Sequence, residues 1–313
     1  MTDLRVLVTG PAEPYLEDIR QAAPGADCRY LADQAQVEAE IETADVVAGS
    51  VTSSALARAH RLRWVHSWAA GPDSALYPAM VESRVVLTSS KGNGAIPLAE
   101  HAIMLMLLLN RQAIRWIRAQ EAHRWDSFVH GELNGLTCGI IGLGYSGQDL
   151  ALKAKAFHMD VIGVRRTTQP TPNVDRLYPL EQLHTFLGEA DFVVVTAPRT
   201  LETSGMLGEG EFRAMKPTAH YVCFSRGGLA DDKALERALR EGWIAGAGLD
   251  AHGEEPLPTD SPFWETPNTI VTPHNGATTL QTRRRGVEIF VDNLQRFVGG
   301  QPLRNVVDKR LGY

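Results

Sequence analysis

The chain has 313 residues, 44% hydrophobic and 22% charged, enough for two globular domains of about 100–200 residues each. Its formal net charge of −6 leaves no basic excess to neutralise a phosphate backbone, so no nucleic-acid partner is expected. Cys28, Cys138 and Cys223 are odd in number, far apart and without a C-x-x-C pair, which argues against a disulfide framework and against a metal site.

In chain order, residues 4–8 already read as an apolar strand, with no signal-like segment before them, so a cytoplasmic protein is expected. Further strands are expected at 45–49, 63–66 and 85–87. Residues 97–120 form one strong helical pattern with Pro97 near its first turn, where a missing N–H is tolerated. It reads as the connection from a first domain into a second. Its apolar run, 102–109, is too short to span a bilayer. The apolar stretch 103–109 suits either a subunit interface or the local core. Asn134-Gly135 marks a turn. A second set of strands is expected at 138–141, 160–164, 191–196, 219–224, 245–249 and 269–271, with Cys138 and Cys223 as small core residues. A last helical pattern covers 283–298, with Arg283, Arg284 and Arg285 on a solvated face and the chain end returning to the first domain. Strands alternating with helices predict an α/β protein, with two doubly wound parallel-sheet domains. The expected division is 1–96 plus 284–313 against 97–283.

Within the second set, Gly142-Leu143-Gly144-Tyr145-Ser146-Gly147 has the form G-x-G-x-x-G, after the strand at 138–141 and before a helical pattern at 148–157. Such a turn brings a dinucleotide pyrophosphate against bare backbone and the N–H groups of a helix start. In an NAD site an acidic residue about 20 positions further on binds the ribose 2′-hydroxyl. Here Arg165 stands 21 positions after Gly144 (165 − 144), followed by Arg166 and Thr167, and no carboxylate occupies that position. Guanidinium groups bind a 2′-phosphate that a carboxylate would repel. NADP is therefore the expected cofactor, with NAD as the weaker alternative.

Three later segments carry titratable groups just after expected strands: Ser225-Arg226-Gly227-Gly228, then 248–258 with Asp250 and Glu255, then Thr272-Pro273-His274-Asn275-Gly276. Strand carboxyl ends are where open α/β sheets bind ligands. Together with the glycine turn and Ala197-Pro198, these segments make the sequence resemble the D-isomer-specific 2-hydroxyacid dehydrogenases, and the two arginines resemble the NADP-preferring glyoxylate and hydroxypyruvate reductase branch. The resemblance implies a flavodoxin-like substrate domain and a Rossmann cofactor domain with a cleft between them, and a homodimer. It implies reduction of a small 2-oxo acid to the D-2-hydroxy acid. Arg226, Glu255 and His274 match the catalytic arginine, glutamate and histidine. An arginine clamps the carboxylate and polarises the keto oxygen, a histidine donates the proton, and a glutamate orients the ring.

The resemblance carries further contacts. Asp250 matches the residue that holds the nicotinamide carboxamide, and Ala197, Pro198, Thr203, Phe224 and Gly276 match cofactor-proximal positions. The segment 64–73 matches the loop that binds the substrate carboxylate, with Ala70 and Gly71 as its amides and Trp68 beside the pocket. Lys91 is a weaker substrate contact, and Glu100-His101 an expected interdomain hydrogen bond. The chain departs from the family pattern at Cys223, where Asn is usual, at Thr196, where His or Asn is usual, and at Ala251-His252, where Val-Phe is usual. The formate dehydrogenase branch, with Gln at the position of Glu255, fits poorly. Phosphite oxidation stays open on motif alone. The rival of another class is a dinucleotide-sensing corepressor-type protein without significant turnover.

Overall fold

The computed structural model describes residues 4–167 and 169–313; Thr168, which follows the Arg165-Arg166-Thr167 run, lies outside them. The chain divides into two compact units, Met1–Gly94 with Thr278–Tyr313, and Ala95–Ala277.

The first unit runs β1 Arg5–Val8, α1 Leu16–Ala22, β2 Asp27–Tyr30, α2 Gln34–Glu40, β3 Val46–Ala48, α3 Ser53–Arg58, β4 Trp64–Ser67, α4 Pro78–Glu82 and β5 Val86–Ser89. All five strands are parallel, in the flavodoxin-like order β2-β1-β3-β4-β5. Alternate residues serve opposite faces, as strand geometry requires: Val6, Val8, Val46 and Ala48 enter one core cluster, Leu7 and Val47 the other. Side-chain caps start two of the helices. Asp33 accepts from the Gln36 N–H at 2.9 Å, and Thr52 accepts from the Ala55 N–H at 3.1 Å. The edge strand β2 was not expected from sequence, because only Cys28 of its Asp-Cys-Arg-Tyr run is buried.

The second unit runs α5 Ala95–Asn110, α6 Ala113–Glu121, β6 Thr137–Ile141, α7 Tyr145–Ala156, β7 Asp160–Val164, β8 Arg176–Tyr178, α8 Leu183–Glu189, β9 Phe192–Val195, α9 Glu209–Ala214, β10 His220–Cys223, α10 Asp232–Arg240, β11 Gly246–Leu249 and β12 Thr269–Val271. Its sheet is parallel, in the order β12-β11-β10-β9-β6-β7-β8. The order reverses between β6 and β9, and such a switch point opens a ligand crevice beyond the strand carboxyl ends. Both faces are covered. Val193, Val195, Tyr221 and Cys223 enter one core, and Phe192, Val194, Val222 and Phe224 the other.

The pattern at 97–120 is two helices rather than one. Gln112 takes a left-handed φ of 51°, which ends α5 and redirects the chain into α6. Most of the 103–109 run is local core: Ile103, Leu105, Met106 and Leu109 are buried against the sheet. After Ala277 the chain re-enters the first unit as α11 Leu280–Val298, which buries Val287, Phe290 and Leu294 at helical spacing. Arg283 and Arg284 are exposed as expected, but Arg285 is half-buried and donates to the Asn93 carbonyl at 2.6 Å. No helix among the described residues is long and apolar enough to cross a membrane.

Candidate active site

The turn between β6 and α7 is shaped by atoms its glycines lack. Gly142 has φ +94°, and a Cβ there would lie 2.7 Å from the Ala197 nitrogen. A Cβ on Gly147 would lie 2.3 Å from the Gly142 carbonyl oxygen. Around Gly144 nothing stands within 4 Å, so that face is open. The helix begins at Tyr145, three residues before the expected 148, so Tyr145, Ser146 and Gly147 form its first turn. Those residues carry the N–H groups that lack an intrahelical partner. Open glycine backbone followed by a 12-residue helix N-terminus fits a pyrophosphate. Thr196, at the end of β9, braces the turn by donating to the Gly142 carbonyl at 2.5 Å.

At the end of β7, Arg165 donates to the Thr167 hydroxyl at 3.1 and 2.8 Å and to the Thr171 hydroxyl at 3.1 Å. Neutral hydroxyls hold this guanidinium in place without cancelling its charge. Arg166 is exposed, with Glu202 3.8 Å away. Thr203 is turned onto its own loop, donating to the Pro198 carbonyl at 2.7 Å and accepting from the Thr200 N–H at 2.8 Å. Phe224 is buried in the core, which leaves its backbone as the part available to a cofactor.

The ends of β10, β11 and β12 bring Arg226, Asp250, Glu255 and His274 onto adjacent loops of one unit. Arg226 is half-buried, and its Nη1 donates to the Ser225 carbonyl at 2.7 Å. The His274 Nδ1 lies 2.8 Å from both Glu255 carboxylate oxygens. An ionised carboxylate only accepts, so Nδ1 carries the hydrogen and Nε2 is the ring nitrogen that Glu255 does not engage. Burial pushes the Glu255 carboxyl up, but the His252 N–H and the His274 ring outweigh it and hold the carboxyl below its usual range. His274 itself has φ +49°, a left-handed conformation a non-glycine residue keeps only when its surroundings enforce it.

The enforcement comes from Asp250, which is fully buried. Its carboxylate accepts from the Thr272 hydroxyl at 2.7 Å, the Asn275 N–H at 3.1 Å and the Gly276 N–H at 2.9 Å. Gly276 has no room for a side chain, since a Cβ there would stand 2.8 Å from Asp250 Oδ2 and 3.1 Å from the His101 ring. His101 also lies 3.0 Å from the Thr272 hydroxyl. The expected interdomain bond from His101 is therefore a bond inside one unit, because α5 belongs to the same unit as Thr272. Thr272 and this use of His101 were missed from sequence; only their place beside His274 and at the start of α5 hinted at them.

The remaining site candidates lie in the first unit. Trp64 and His66 on β4, and Trp68 just after it, pack tilted or edge-on against Phe290, with ring centroids 5.2 to 5.5 Å apart from His66 to Trp68 and from each to Phe290. Burial lowers the His66 pKa to about 3, so that ring is a neutral structural support. Trp68, partly buried, also lines a pocket of about 540 Å³ with Gly10, Pro11, Ala69, Asn93 and Arg283. Ala70 is exposed and Gly71 half-buried on the same loop, while the exposed Lys91 lies 5.7 Å over the Tyr313 ring.

Residues 103–276 match the family described as D-isomer specific 2-hydroxyacid dehydrogenase, NAD binding domain. The chain belongs to this family. The glyoxylate reductase of Pyrococcus furiosus is 35% identical, over 81% of this chain and 78% of that protein. Among solved structures, a D-isomer specific 2-hydroxyacid dehydrogenase family protein from Aeromonas salmonicida superposes with a TM-score of 0.90 at 32% identity, covering 98% of this chain and 100% of that one. The NADPH-dependent glyoxylate/hydroxypyruvate reductase of Sinorhizobium meliloti, in complex with NADP and sulfate, superposes with a TM-score of 0.86 at 30% identity, covering 99% and 100%. In this family the glycine turn belongs to a dinucleotide-binding domain, which agrees with its open backbone and helix start.

Proposed function

We propose that this chain reduces a small 2-oxo acid, of the glyoxylate or hydroxypyruvate kind, to the D-2-hydroxy acid, with NADPH preferred over NADH. The observation that carries the reading is the His274–Glu255 bond on the loops beside Arg226. Bound at the glycine turn, the reduced nicotinamide supplies the hydride. Arg226 binds the carboxylate and polarises the keto oxygen, stabilising the charge that grows there. His274, whose Nδ1–H is committed to Glu255, gives the oxygen a proton from Nε2. Glu255 fixes the ring and offsets the imidazolium charge. Asp250 holds the turn that presents His274 and, by resemblance, the nicotinamide carboxamide.

The family likeness adds the Ala70 and Gly71 amides as carboxylate donors, with Trp68 beside the acid and Lys91 as a weaker contact. The 2′-phosphate would lie with Arg165, Arg166 and Thr167, and the rest of the cofactor with Gly142, Gly144, Tyr145, Ser146, Gly147, Ala197, Pro198, Thr203, Phe224 and Gly276. NADP in the Sinorhizobium relative supports that preference. A homodimer is part of the proposal. Ile96, Met104, Trp116 and Ile117 are 39 to 53% exposed and Trp125 and Val129 96% exposed, apolar side chains that a partner subunit would cover. Sedimentation equilibrium tests the dimer. Initial rates of NADPH oxidation with glyoxylate and hydroxypyruvate test the reaction. Binding without consumption would instead mark a dinucleotide sensor.

A further inference from the structure

His252 is buried at 8% exposure, and the reaction scheme leaves it without a task. Its backbone N–H donates to Glu255 Oε1 at 2.9 Å, and its ring Nε2 lies 2.9 Å from the Thr272 carbonyl oxygen. A carbonyl only accepts, so Nε2 carries the hydrogen and donates. Thr272 stands two residues before His274 (274 − 272). One residue therefore grips the carboxylate of the acid–base pair through its main chain and the approach to its histidine through its side chain. It also fixes the third segment. A Cβ on Gly227, next to Arg226, would fall 1.8 Å from the His252 carbonyl oxygen, so the two backbones are in direct contact.

The His274 turn is thus held at two places. Asp250 holds the 275 and 276 amides, and His252 holds the 272 carbonyl. A phenylalanine at 252 would fill similar space but donate nothing.

Building on the proposed reaction, we infer that His252 is a positioning residue, whose Nε2–H bond to Thr272 sets the His274 imidazole against Glu255. The ionisable groups around this link include His274 and His252 beside Glu255, Asp232 beside His252, and Asp250 and His101 beside Thr272. Burial raises the Asp232 pKa, Asp231 adds to the rise, and His252 draws it back.

The test compares His252→Phe, which removes the donor, with His252→Gln, whose side-chain amide restores one near the Nε2 position. His252→Leu replaces His252→Phe if that variant does not bind NADPH. In His252→Phe the expected kcat falls roughly tenfold or more, while KM for NADPH stays within about twofold, because only the alignment of reacting groups is lost. His252→Gln recovers most of the rate. A second readout needs no turnover: the carboxyl 13C titration of Glu255, assigned with Glu255→Gln. Its midpoint rises in His252→Phe, as the His274 bond loosens, and returns in His252→Gln. An unchanged kcat in His252→Phe, or a Glu255 titration alike in all three proteins, overturns the inference. If the unaltered enzyme consumes no 2-oxo acid, the proposed reaction fails, and the titration still decides the role of His252.

Discussion

At the β6–α7 turn the decisive atoms are ones the chain leaves out, whereas at the ends of β10, β11 and β12 they are side chains that hold one another. Gly142 and Gly147 have backbone pressed where a Cβ would go, and Gly144 faces open space. Three strands along the same sheet, Asp250 gathers three donors, Glu255 takes a backbone N–H and an imidazole, and His252 ties their loops together. The first region fails sterically, at once. The second fails by loosening, one bond at a time.

The largest expected effect is in the second region. His274→Asn removes the proposed proton donor, and kcat should fall by roughly 10²–10⁴-fold with NADPH affinity nearly kept. Single-turnover kinetics beside a fluorescence binding titration separate the two; a kcat within the wild-type range would remove His274 from the chemistry. In the first region, Gly147→Ala forces a methyl against the Gly142 carbonyl and should destabilise the unit by about 1–3 kcal/mol, read from urea unfolding. Gly144→Ala sharpens the contrast. With nothing within 4 Å it should leave stability unchanged, yet weaken NADPH binding if the pyrophosphate crosses that face. Equal losses of stability in both variants would contradict the steric account.

On the other side of the β6–α7 turn, after β7, stand the two arginines. Exchanging Arg165 for Asp and Arg166 for Ala should lower the NADPH-to-NADH ratio of kcat/KM by roughly tenfold or more, since the proposed charge-assisted bonds to a 2′-phosphate would be lost. A ratio that holds would place selectivity elsewhere.

The smallest effect concerns pH. Folding lowers the Glu255 carboxyl below its ordinary 4.5, so its contribution is present above that value and is lost as pH falls through the lower, folded value. Glu255→Gln has no such group to protonate. Its stability should therefore change less than wild type between about pH 5 and 3, as thermal melts would show. Parallel curves would mean the pair does not persist in solution.

How far the sequence could be read follows the same division. A turn defined by missing atoms is written directly in the chain, and Gly142, Gly144 and Gly147 stood out by type and spacing. The apolar strands were legible because parallel strands buried on both faces are nearly continuous runs, as in Phe192–Val195. Edge strands β2 and β8 were not, since Asp27–Tyr30 and Arg176–Tyr178 bury a single residue each. Periodicity merged α5 with α6, because it continues across Gln112 and says nothing of a positive φ. The Arg226, Glu255 and His274 set was legible through family likeness, as each residue alone is an ordinary loop charge. Thr272, His101 and His252 hold their partners across tens to hundreds of positions or through backbone atoms, which no local pattern encodes.

The most direct measurement is the initial rate of NADPH and NADH oxidation with glyoxylate and hydroxypyruvate, wild type beside His274→Asn, with the chirality of the product determined. The account predicts turnover of at least one of these acids to a D-hydroxy acid, faster with NADPH and slowed roughly a hundredfold or more in the variant. Binding of NADPH without consumption by the wild-type protein, or equal rates in the two proteins, would contradict it.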